Sequence, residues 1–227
     1  MSQLALPLQL ADHAVFASYL ASGNESLVAA LQALAAGTDT SGCYLWGAAA
    51  TGKTHLLQAV CTSAGDESVY LPMTLLTDSP PEILHGFANR RLVCIDDVDT
   101  AAGKPGWELA LFDLCNQVFD AKGSLVAAAS AAPRAAAFKL ADLQSRLSQL
   151  PTFQLRGLDD ADTCRALQLR AGHRGLDLPD DTAQFLISRN RRDMASLYKL
   201  LDKLDLAALR AQRRLTIPFV KQVLESE

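Results

Sequence analysis

The chain has 227 residues, of which 49% are hydrophobic and 20% are charged, and its formal net charge at pH 7 is −4. This composition excludes a mostly disordered chain, and no apolar run approaches the roughly 20 residues that a membrane-spanning helix needs. Residues 1–155 carry 8 basic and 14 acidic side chains, whereas residues 156–227 carry 13 and 11. An acidic chain is a poor candidate for strong independent binding to DNA, which depends on clustered lysine and arginine.

The termini and the cysteines indicate the compartment. The N-terminus lacks a basic segment followed by an apolar one, so the sequence predicts no signal peptide. The five cysteines and four histidines are scattered without the spacing of a metal site, and most of the cysteines lie in apolar segments typical of a core. We therefore expect a reduced, cytoplasmic protein without a structural metal and without a membrane partner.

Residues 1–10 are predicted to form an extended tail. Leu4, Leu6 and Leu8 alternate after Gln3, and Pro7 favours an extended backbone. An extended peptide that presents apolar side chains is suited to binding in a groove of another protein. An arm folded back onto its own domain is the alternative.

The strongest motif lies at residues 47–54, which read Gly-Ala-Ala-Ala-Thr-Gly-Lys-Thr and match G-x-x-x-x-G-K-[ST]. An apolar strand precedes the motif and a helix follows it, which is the context of a phosphate-binding P-loop. In such a loop the backbone N–H groups and the helix N-terminus surround the phosphates. Lys53 would then contact the β- and γ-phosphates and the Thr54 hydroxyl would bind magnesium. A tight strand-to-helix turn with an incidental lysine is the alternative.

A second motif follows about forty residues later. The apolar run 92–95 ends in Asp96 and Asp97, a pattern typical of a buried parallel strand. Because ligands of open α/β sheets bind at the carboxyl ends of strands, Asp96 is expected beside the P-loop, holding magnesium directly or through water. Asp97 stands where many ATPases carry a water-orienting glutamate, and its shorter side chain argues against fast turnover. Capping of the next helix is the alternative for this acidic pair.

Strand and helix patterns alternate through the first two thirds of the chain. The predicted strands are 43–47, 68–71, 91–96, 124–129 and 152–155, and the predicted helices are 24–36, with Asn24 as its N-cap, 53–63, 81–88, 106–121 and 142–147. Such alternation after a P-loop predicts an α/β fold with a five-stranded parallel sheet and helices on both faces.

After Gly157 the strand patterns stop. Helices are predicted at 159–173, 180–189, 192–211 and 217–225, which form a small all-helical lid. The helix at 192–211 should bury one face, which comprises Leu197, Leu200, Leu201, Leu204 and Leu209. The predicted organisation is thus a tail at 1–10, a nucleotide-binding base at 11–156 and a helical lid at 157–227.

A P-loop, an Asp-Asp strand and a helical lid together resemble AAA+ proteins. The run Gly52-Lys53-Thr54-His55-Leu56 and the strand end Ile95-Asp96-Asp97 resemble the bacterial initiator DnaA. The segment 213–221 and the N-terminal tail resemble the Hda family of DnaA-homologous regulators still more. DnaA continues into a DNA-binding domain beyond the lid, and the expected absence of that domain favours the Hda family. The tail resembles the Q-L-x-L-P-L peptide that binds the β sliding clamp, which assigns clamp binding to Gln3, Leu4, Leu6, Pro7 and Leu8.

The resemblance also implies roles for further residues. Ser130 matches a sensor residue near the γ-phosphate, where the family more often has aspartate. Arg192 matches a lid arginine that reaches the nucleotide, although a surface arginine is the alternative. Arg146 matches the arginine finger that acts on a neighbouring subunit's nucleotide. The implied nucleotide-binding set is Gly47, Gly52, Lys53, Thr54, His55, Asp96, Asp97, Ser130 and Arg192.

The resemblance implies a function as well. The resemblance implies an adaptor that binds ADP, or ATP, with Mg²⁺ held by Thr54 and Asp96. Such an adaptor hydrolyses little nucleotide itself. Docked on the sliding clamp of DNA polymerase III, such an adaptor stimulates hydrolysis of DnaA-bound ATP and so inhibits initiation of replication. Its contact with DNA is indirect, through the clamp, and self-association stays open. The alternative is a stand-alone AAA+ ATPase of the clamp-loader or helicase-loader type, whereas a DNA-binding initiator is disfavoured by the charge.

Overall fold

The computed structural model describes residues 14–189 and 194–225, and its first part is an α/β unit. The strands of this unit are β1 (Cys43–Trp46), β2 (Ser68–Pro72), β3 (Leu92–Asp96), β4 (Ser124–Ala129) and β5 (Thr152–Gln154). Its helices are α1 (Glu25–Ala35), α2 (Lys53–Ala64), α3 (Met73–Leu76), α4 (Pro105–Asp120) and α5 (Ala141–Ser148). The predicted α/β architecture is confirmed.

All five strands pair in parallel, in the order β2-β3-β4-β1-β5. Strands β3 and β4 are buried along their whole length, as their continuous runs of small and branched apolar residues predict. Because β4 lies between β1 and β3, the carboxyl ends of these three strands meet at one edge of the sheet. The P-loop, Ser130 and Asp96 follow or end these strands, so the sheet gathers them at that edge.

One predicted helix differs in type. Residues 81–88 were expected to form an α-helix, but Pro81–Gly86 form a 3₁₀ helix. The N–H of Ile83 donates to Pro80 and that of Phe87 to Leu84, three residues back in each case. The segment spans only six residues, and 3₁₀ helices are typical of such short pieces.

The described chain divides into two compact units. The first comprises residues 14–16, Asn24–Ala49 and Lys53–Leu155. The second comprises Ala17–Gly23, Ala50–Gly52 and the described residues from Arg156 onward. The second unit therefore includes two short segments from early in the chain that sequence patterns did not indicate.

The second unit holds four helices among its described residues: α6 (Asp160–His173), α7 (Asp180–Arg189), α8 (Met194–Ala211) and α9 (Ile217–Glu225). Leucines of α8 form the centre of its core, with Leu201 and Leu204 fully buried. Leu209 was expected on the same face but is 75% exposed, and Ala208 is buried instead. A step of four residues from Leu204 keeps the helix face and a step of five leaves it, so the prediction for Leu209 was wrong.

Two further observations complete the architecture. Asn24 precedes α1 as predicted, but its side chain makes no capping hydrogen bond. Within residues 14–189 and 194–225, no helix is both long and apolar enough to cross a bilayer.

Candidate nucleotide site

The loop between β1 and α2 has the backbone of a phosphate-binding turn. Gly47 is buried beside β4, where its N–H donates to the Ala129 carbonyl over 3.3 Å. Ala50 and Gly52 have positive φ angles of 62° and 95°. A Cβ on Gly52 would lie 2.7 Å from a ring carbon of Tyr19, so both the backbone angle and the space require glycine. Alternation of right- and left-handed residues turns successive N–H groups toward one side, which forms a concavity for anions.

Lys53 is the first residue of α2, and only 8% of it is exposed. Its Nζ donates to the carbonyl oxygens of Gly47 and Ala48, each over 2.9 Å. An ammonium group has three N–H donors, so these two bonds orient it and leave one for a further acceptor. A buried cation that contacts neutral carbonyls is stabilised by an anion, and phosphate oxygens at the loop would supply that charge.

The next two residues of α2 differ in their surroundings. Thr54 is exposed in the first turn of the helix, where a bound anion and its metal ion would lie. The His55 ring lies inward, with Nε2 3.0 Å from the carbonyl oxygen of Val15. His55 therefore ties α2 to residues near the start of the described chain. Its expected contact with nucleotide stays a prediction.

Asp96 ends β3 as a carboxylate that is 2% exposed. The Tyr70 hydroxyl donates to its Oδ2 over 2.7 Å, and the Asp97 N–H donates to its Oδ1 over 3.1 Å. Burial raises the pKa of Tyr70, and the adjacent Asp96 carboxylate raises it further. Tyr70 therefore stays a protonated donor that fixes Asp96 in one orientation.

Asp97 has a left-handed backbone, with φ 51° and ψ 47°, a conformation that aspartate tolerates better than most residues. Partial burial raises the pKa of its carboxyl, the Asp96 charge raises it further, and Lys53 opposes both effects. The influence of Lys53 on this pKa links the P-loop lysine to the acidic pair at the end of β3.

Ser130 directly follows β4, and its partner is an aspartate that sequence patterns did not single out. Its N–H donates to Asp99 Oδ2 over 2.9 Å, and its hydroxyl donates to the same oxygen. Asp99 lies in the 3₁₀ turn Val98–Ala101 that follows the acidic pair. The Ser130 side chain, which the sequence predicts near the γ-phosphate, is thus hydrogen-bonded to a carboxylate on the neighbouring turn.

The donor set suits magnesium held together with a nucleotide. A threonine hydroxyl and a carboxylate are hard oxygen ligands of the kind Mg²⁺ prefers. Among the described residues, no group of three or more histidine, cysteine or acidic side chains could hold a metal by itself. Mg²⁺ commonly keeps several waters and binds through one or two protein oxygens plus phosphates, which fits Thr54 and Asp96.

Of the remaining predicted residues, the structure describes Arg146 alone. Arg146 is in the last turn of α5, where its Nη2 lies 2.5 Å from Asn116 Oδ1 and its guanidinium lies 5.7 Å from the Phe119 ring centre. Arg192 lies outside the described residues. So does the predicted clamp-binding set Gln3, Leu4, Leu6, Pro7 and Leu8.

The family comparison matches the second unit. Residues 160–224 match the family model described as Hda, lid domain. This match covers α6 to α9, the region in which sequence patterns predicted an all-helical lid.

Solved structures share the fold of nearly the whole chain. Domain III of the Thermotoga maritima replication initiation protein DnaA matches with a TM-score of 0.78 at 19% identity, over 96% of this chain and 98% of that one. AMPPCP-bound DnaA from Aquifex aeolicus matches with a TM-score of 0.68 at 17% identity, over 88% of this chain and 68% of that one. The Thermotoga maritima RuvB branch migration motor matches with a TM-score of 0.66 at 14% identity, over 92% of this chain and 69% of that one. At these identities the structural matches show that the chain shares the fold of DnaA domain III, and the lid-domain match applies to residues 160–224.

Proposed function

We propose that this protein is a nucleotide-bound adaptor that docks on the sliding clamp and stimulates hydrolysis of DnaA-bound ATP, thereby inhibiting initiation of replication. The observation that carries the proposal is the buried Lys53 ammonium, oriented by the Gly47 and Ala48 carbonyls in a chain whose lid matches Hda. The lysine supports nucleotide binding, and the lid match supports a regulatory role toward DnaA.

The resident ligand is ADP or ATP with Mg²⁺. Two solved DnaA structures of this fold are described as bound to AMPPCP, an ATP analogue. Gly47, Gly52, Lys53 and Thr54 contact the phosphates, while Thr54 and Asp96 bind the metal. The nucleotide-binding set is completed by His55, Asp97, Ser130 and Arg192.

The protein's own hydrolysis of ATP is slow. Water activation needs an acid that reaches the attacking water, and Asp97 is a short acid on a left-handed residue. Ser130 has its hydroxyl engaged by Asp99, and Asp96 has both oxygens engaged by Tyr70 and Asp97. These contacts favour retention of a nucleotide over its turnover.

Arg146 acts in trans on the ATP bound to DnaA. Its guanidinium stabilises negative charge that develops on the transferred γ-phosphoryl group, an effect worth about 10³–10⁵ in rate in other P-loop systems. The tail at residues 1–10 docks in a groove of the clamp and places the adaptor on DNA that the clamp encircles. Contact with DNA is therefore indirect.

The proposal is tested by reconstitution of DnaA-ATP hydrolysis with purified adaptor, clamp and DNA. Hydrolysis should accelerate only when the clamp is loaded on DNA. Substitution of Gln3, Leu4 and Leu8 by alanine should abolish both clamp binding and the acceleration, whereas Gln9→Ala should preserve both. Acceleration by the triple variant equal to that of the wild type would overturn the docking role of the tail.

The alternative, a stand-alone ATPase, is distinguished in the same experiment. The fold is shared with the RuvB motor, so an assay of the adaptor alone is a necessary arm. ATP turnover by the adaptor in the absence of DnaA, at a rate that exceeds the turnover on DnaA, would favour the alternative. Retention of ADP through purification would favour the adaptor.

A further inference from the structure

A cleft of about 500 Å³ lies within the second unit. One wall is the turn at 174–177, which follows α6, and the other is the segment 205–215, which ends α8 and leads toward α9. The charged residues of the lining are Arg174, Arg213, Arg214, Asp177 and Asp205. The lining therefore has one positive charge in excess.

Arg174 has a deeply buried side chain for an arginine, with only 6% exposed. Its Nη1 lies 2.5 Å from Asp202 Oδ1 and 3.8 Å from Asp205 Oδ2. The contact with Asp202 is an ion pair without the alignment of a hydrogen bond, since Asp202 Oδ1 has no hydrogen-bond partner among the described residues. Arg174 Nε is likewise buried, and within the same part of the chain it has no acceptor.

The buried Nε–H of Arg174 favours an incoming acceptor. Buried polar groups are nearly always hydrogen-bonded, and leaving an N–H of a charged group unsatisfied is costly. The donors of a guanidinium form a planar fork that matches the two oxygens of a carboxylate. Because Arg174 lines the cleft, a carboxylate bound there is placed to accept from this fork.

Arg213 and Arg214 add exposed positive charge on the second wall. The Arg213 guanidinium lies 5.3 Å from the Phe219 ring centre, and its Nη1 donates to Gln222 Oε1 over 3.3 Å. Both of these partners are neutral, so the two contacts orient the guanidinium and leave its charge uncompensated. The second wall therefore presents a cation that is held in place for an anion.

Apolar side chains lie beside these charges. Leu209 lines the cleft and is 75% exposed, and Leu206, three residues earlier on α8, is 58% exposed. Residues three apart are neighbours on a helix surface. A single exposed leucine is ordinary, but a pair beside arginines combines two features of protein interfaces, exposed apolar area and enrichment in arginine.

We propose that this cleft binds a segment of a partner protein in which a carboxylate adjoins an apolar side chain. The carboxylate accepts hydrogen bonds from Arg174 and Arg213, and the apolar side chain packs on Leu209. Nucleic acid fits the same surface less well, because Asp177 and Asp205 repel a run of phosphates, whereas one carboxylate matches the single excess positive charge. The inference depends neither on the nucleotide site nor on the proposed action on DnaA.

The experiment is an NMR titration of the complete, ¹⁵N-labelled chain with an acetylated and amidated tripeptide of sequence Leu-Asp-Leu. The same tripeptide with asparagine in place of aspartate is the control for charge, and oligothymidylate is the probe for nucleic acid. Saturable shifts of amide resonances should cluster at residues 174–177 and 208–215. The asparagine peptide should bind about tenfold more weakly, the change expected for loss of one charge-assisted hydrogen bond.

Substitutions in the cleft test the assigned contacts. Arg213→Gln and Leu209→Ser should each weaken binding of the aspartate peptide severalfold without loss of the fold, because both residues are exposed. Arg174→Lys keeps the charge but removes the Nε–H and the planar fork, so it should weaken binding of the aspartate peptide and barely affect the asparagine peptide. Arg210→Gln is the matched control, because Arg210 is exposed next to Leu209 and does not line the cleft.

Four results would each overturn the inference. These are the absence of saturable shifts at the cleft, equal affinity for the two peptides, tighter binding of oligothymidylate at the same residues, and wild-type affinity in both Arg213→Gln and Leu209→Ser. The two exposed positions decide the matter if Arg174→Lys does not fold.

Discussion

The Tyr70 hydroxyl donates a 2.7 Å hydrogen bond to Oδ2 of Asp96, the carboxylate that ends the buried strand β3. Asp96 is 2% exposed, so this hydroxyl and the Asp97 N–H stabilise a charge that water barely reaches. A metal ion with its nucleotide would supply a stronger partner for the same carboxylate. The Tyr70 hydroxyl and a bound Mg²⁺ would therefore both stabilise the Asp96 carboxylate.

Tyr70→Phe should consequently lower the melting temperature in the absence of ligand, because loss of one hydrogen bond to a buried charge costs about 1–3 kcal/mol. Saturating Mg²⁺-nucleotide should recover more stability in the variant than in the wild type. Tyr44→Phe is the control, since the Tyr44 hydroxyl donates to the Ala131 carbonyl over 2.9 Å and not to a carboxylate. Thermal shifts with and without Mg²⁺ measure the difference. If Mg²⁺-nucleotide raised the melting temperatures of Tyr70→Phe and Tyr44→Phe equally, the proposed role of Tyr70 would be contradicted.

Lys53→Ala should abolish nucleotide binding. The substitution removes the ammonium that Gly47 and Ala48 orient at the phosphate loop. A ligand present at a hundred times its Kd stabilises the native state by about 2.7 kcal/mol, and this increment should vanish from the melting curve of the variant. Calorimetric titration with Mg²⁺-ADP provides the direct measurement. Binding with wild-type affinity would exclude the assigned site.

Asp97→Asn should stabilise the protein at neutral pH. The folded pKa of Asp97 is raised above 3.8 by burial and by the Asp96 charge, so its ionised form is destabilised in the native state. The resulting loss of stability is present at neutral pH and is recovered as the pH falls through the folded pKa toward 3.8. Asparagine keeps the shape and tolerates the left-handed backbone. Denaturant unfolding at pH 7 and pH 3.5 should show an advantage for the variant at pH 7 only.

Glu108→Gln should destabilise the protein at neutral pH, an effect of opposite sign to that of Asp97→Asn. Burial alone would raise the pKa of Glu108, but N–H donors from Leu140, Lys139 and Gly103 outweigh it and lower the pKa below 4.5. The stabilisation from ionised Glu108 is therefore present above pH 4.5 and is lost as the pH falls through the folded pKa. Glutamine has one acceptor oxygen for several donors, so a loss of about 2–3 kcal/mol is expected at pH 7. Exposed Glu82→Gln is the control, and equal stability of wild type and Glu108→Gln at pH 7 would contradict this account.

The sequence was sufficient to predict the fold and to indicate candidate residues for the site. Buried parallel strands are continuous apolar runs, so β3 and β4 were predicted within one residue of their observed bounds. Gly47 and Lys53 follow from the spacing of the P-loop motif. Asp96 follows from its position at the carboxyl end of a continuous apolar run. Sequence patterns did not indicate the hydrogen-bond partners of Asp96 and Arg146. Tyr70 meets Asp96, and Asn116 meets Arg146, only after the chain folds. Asp99 stands in a stretch rich in acids, and nothing in its local pattern distinguishes it as the partner of Ser130.

The central claim is that this protein acts on the ATP of DnaA through Arg146, and radiolabelled DnaA-ATP turnover on clamp-loaded DNA tests it most directly. Arg146→Ala should reduce stimulated turnover by orders of magnitude while ADP binding, clamp binding and melting temperature change little. Lysine at this position should not rescue turnover, because it lacks the planar fork of donors. Exposed Arg134→Ala is the matched control and should behave as wild type. Near-normal turnover with Arg146→Ala would contradict the account.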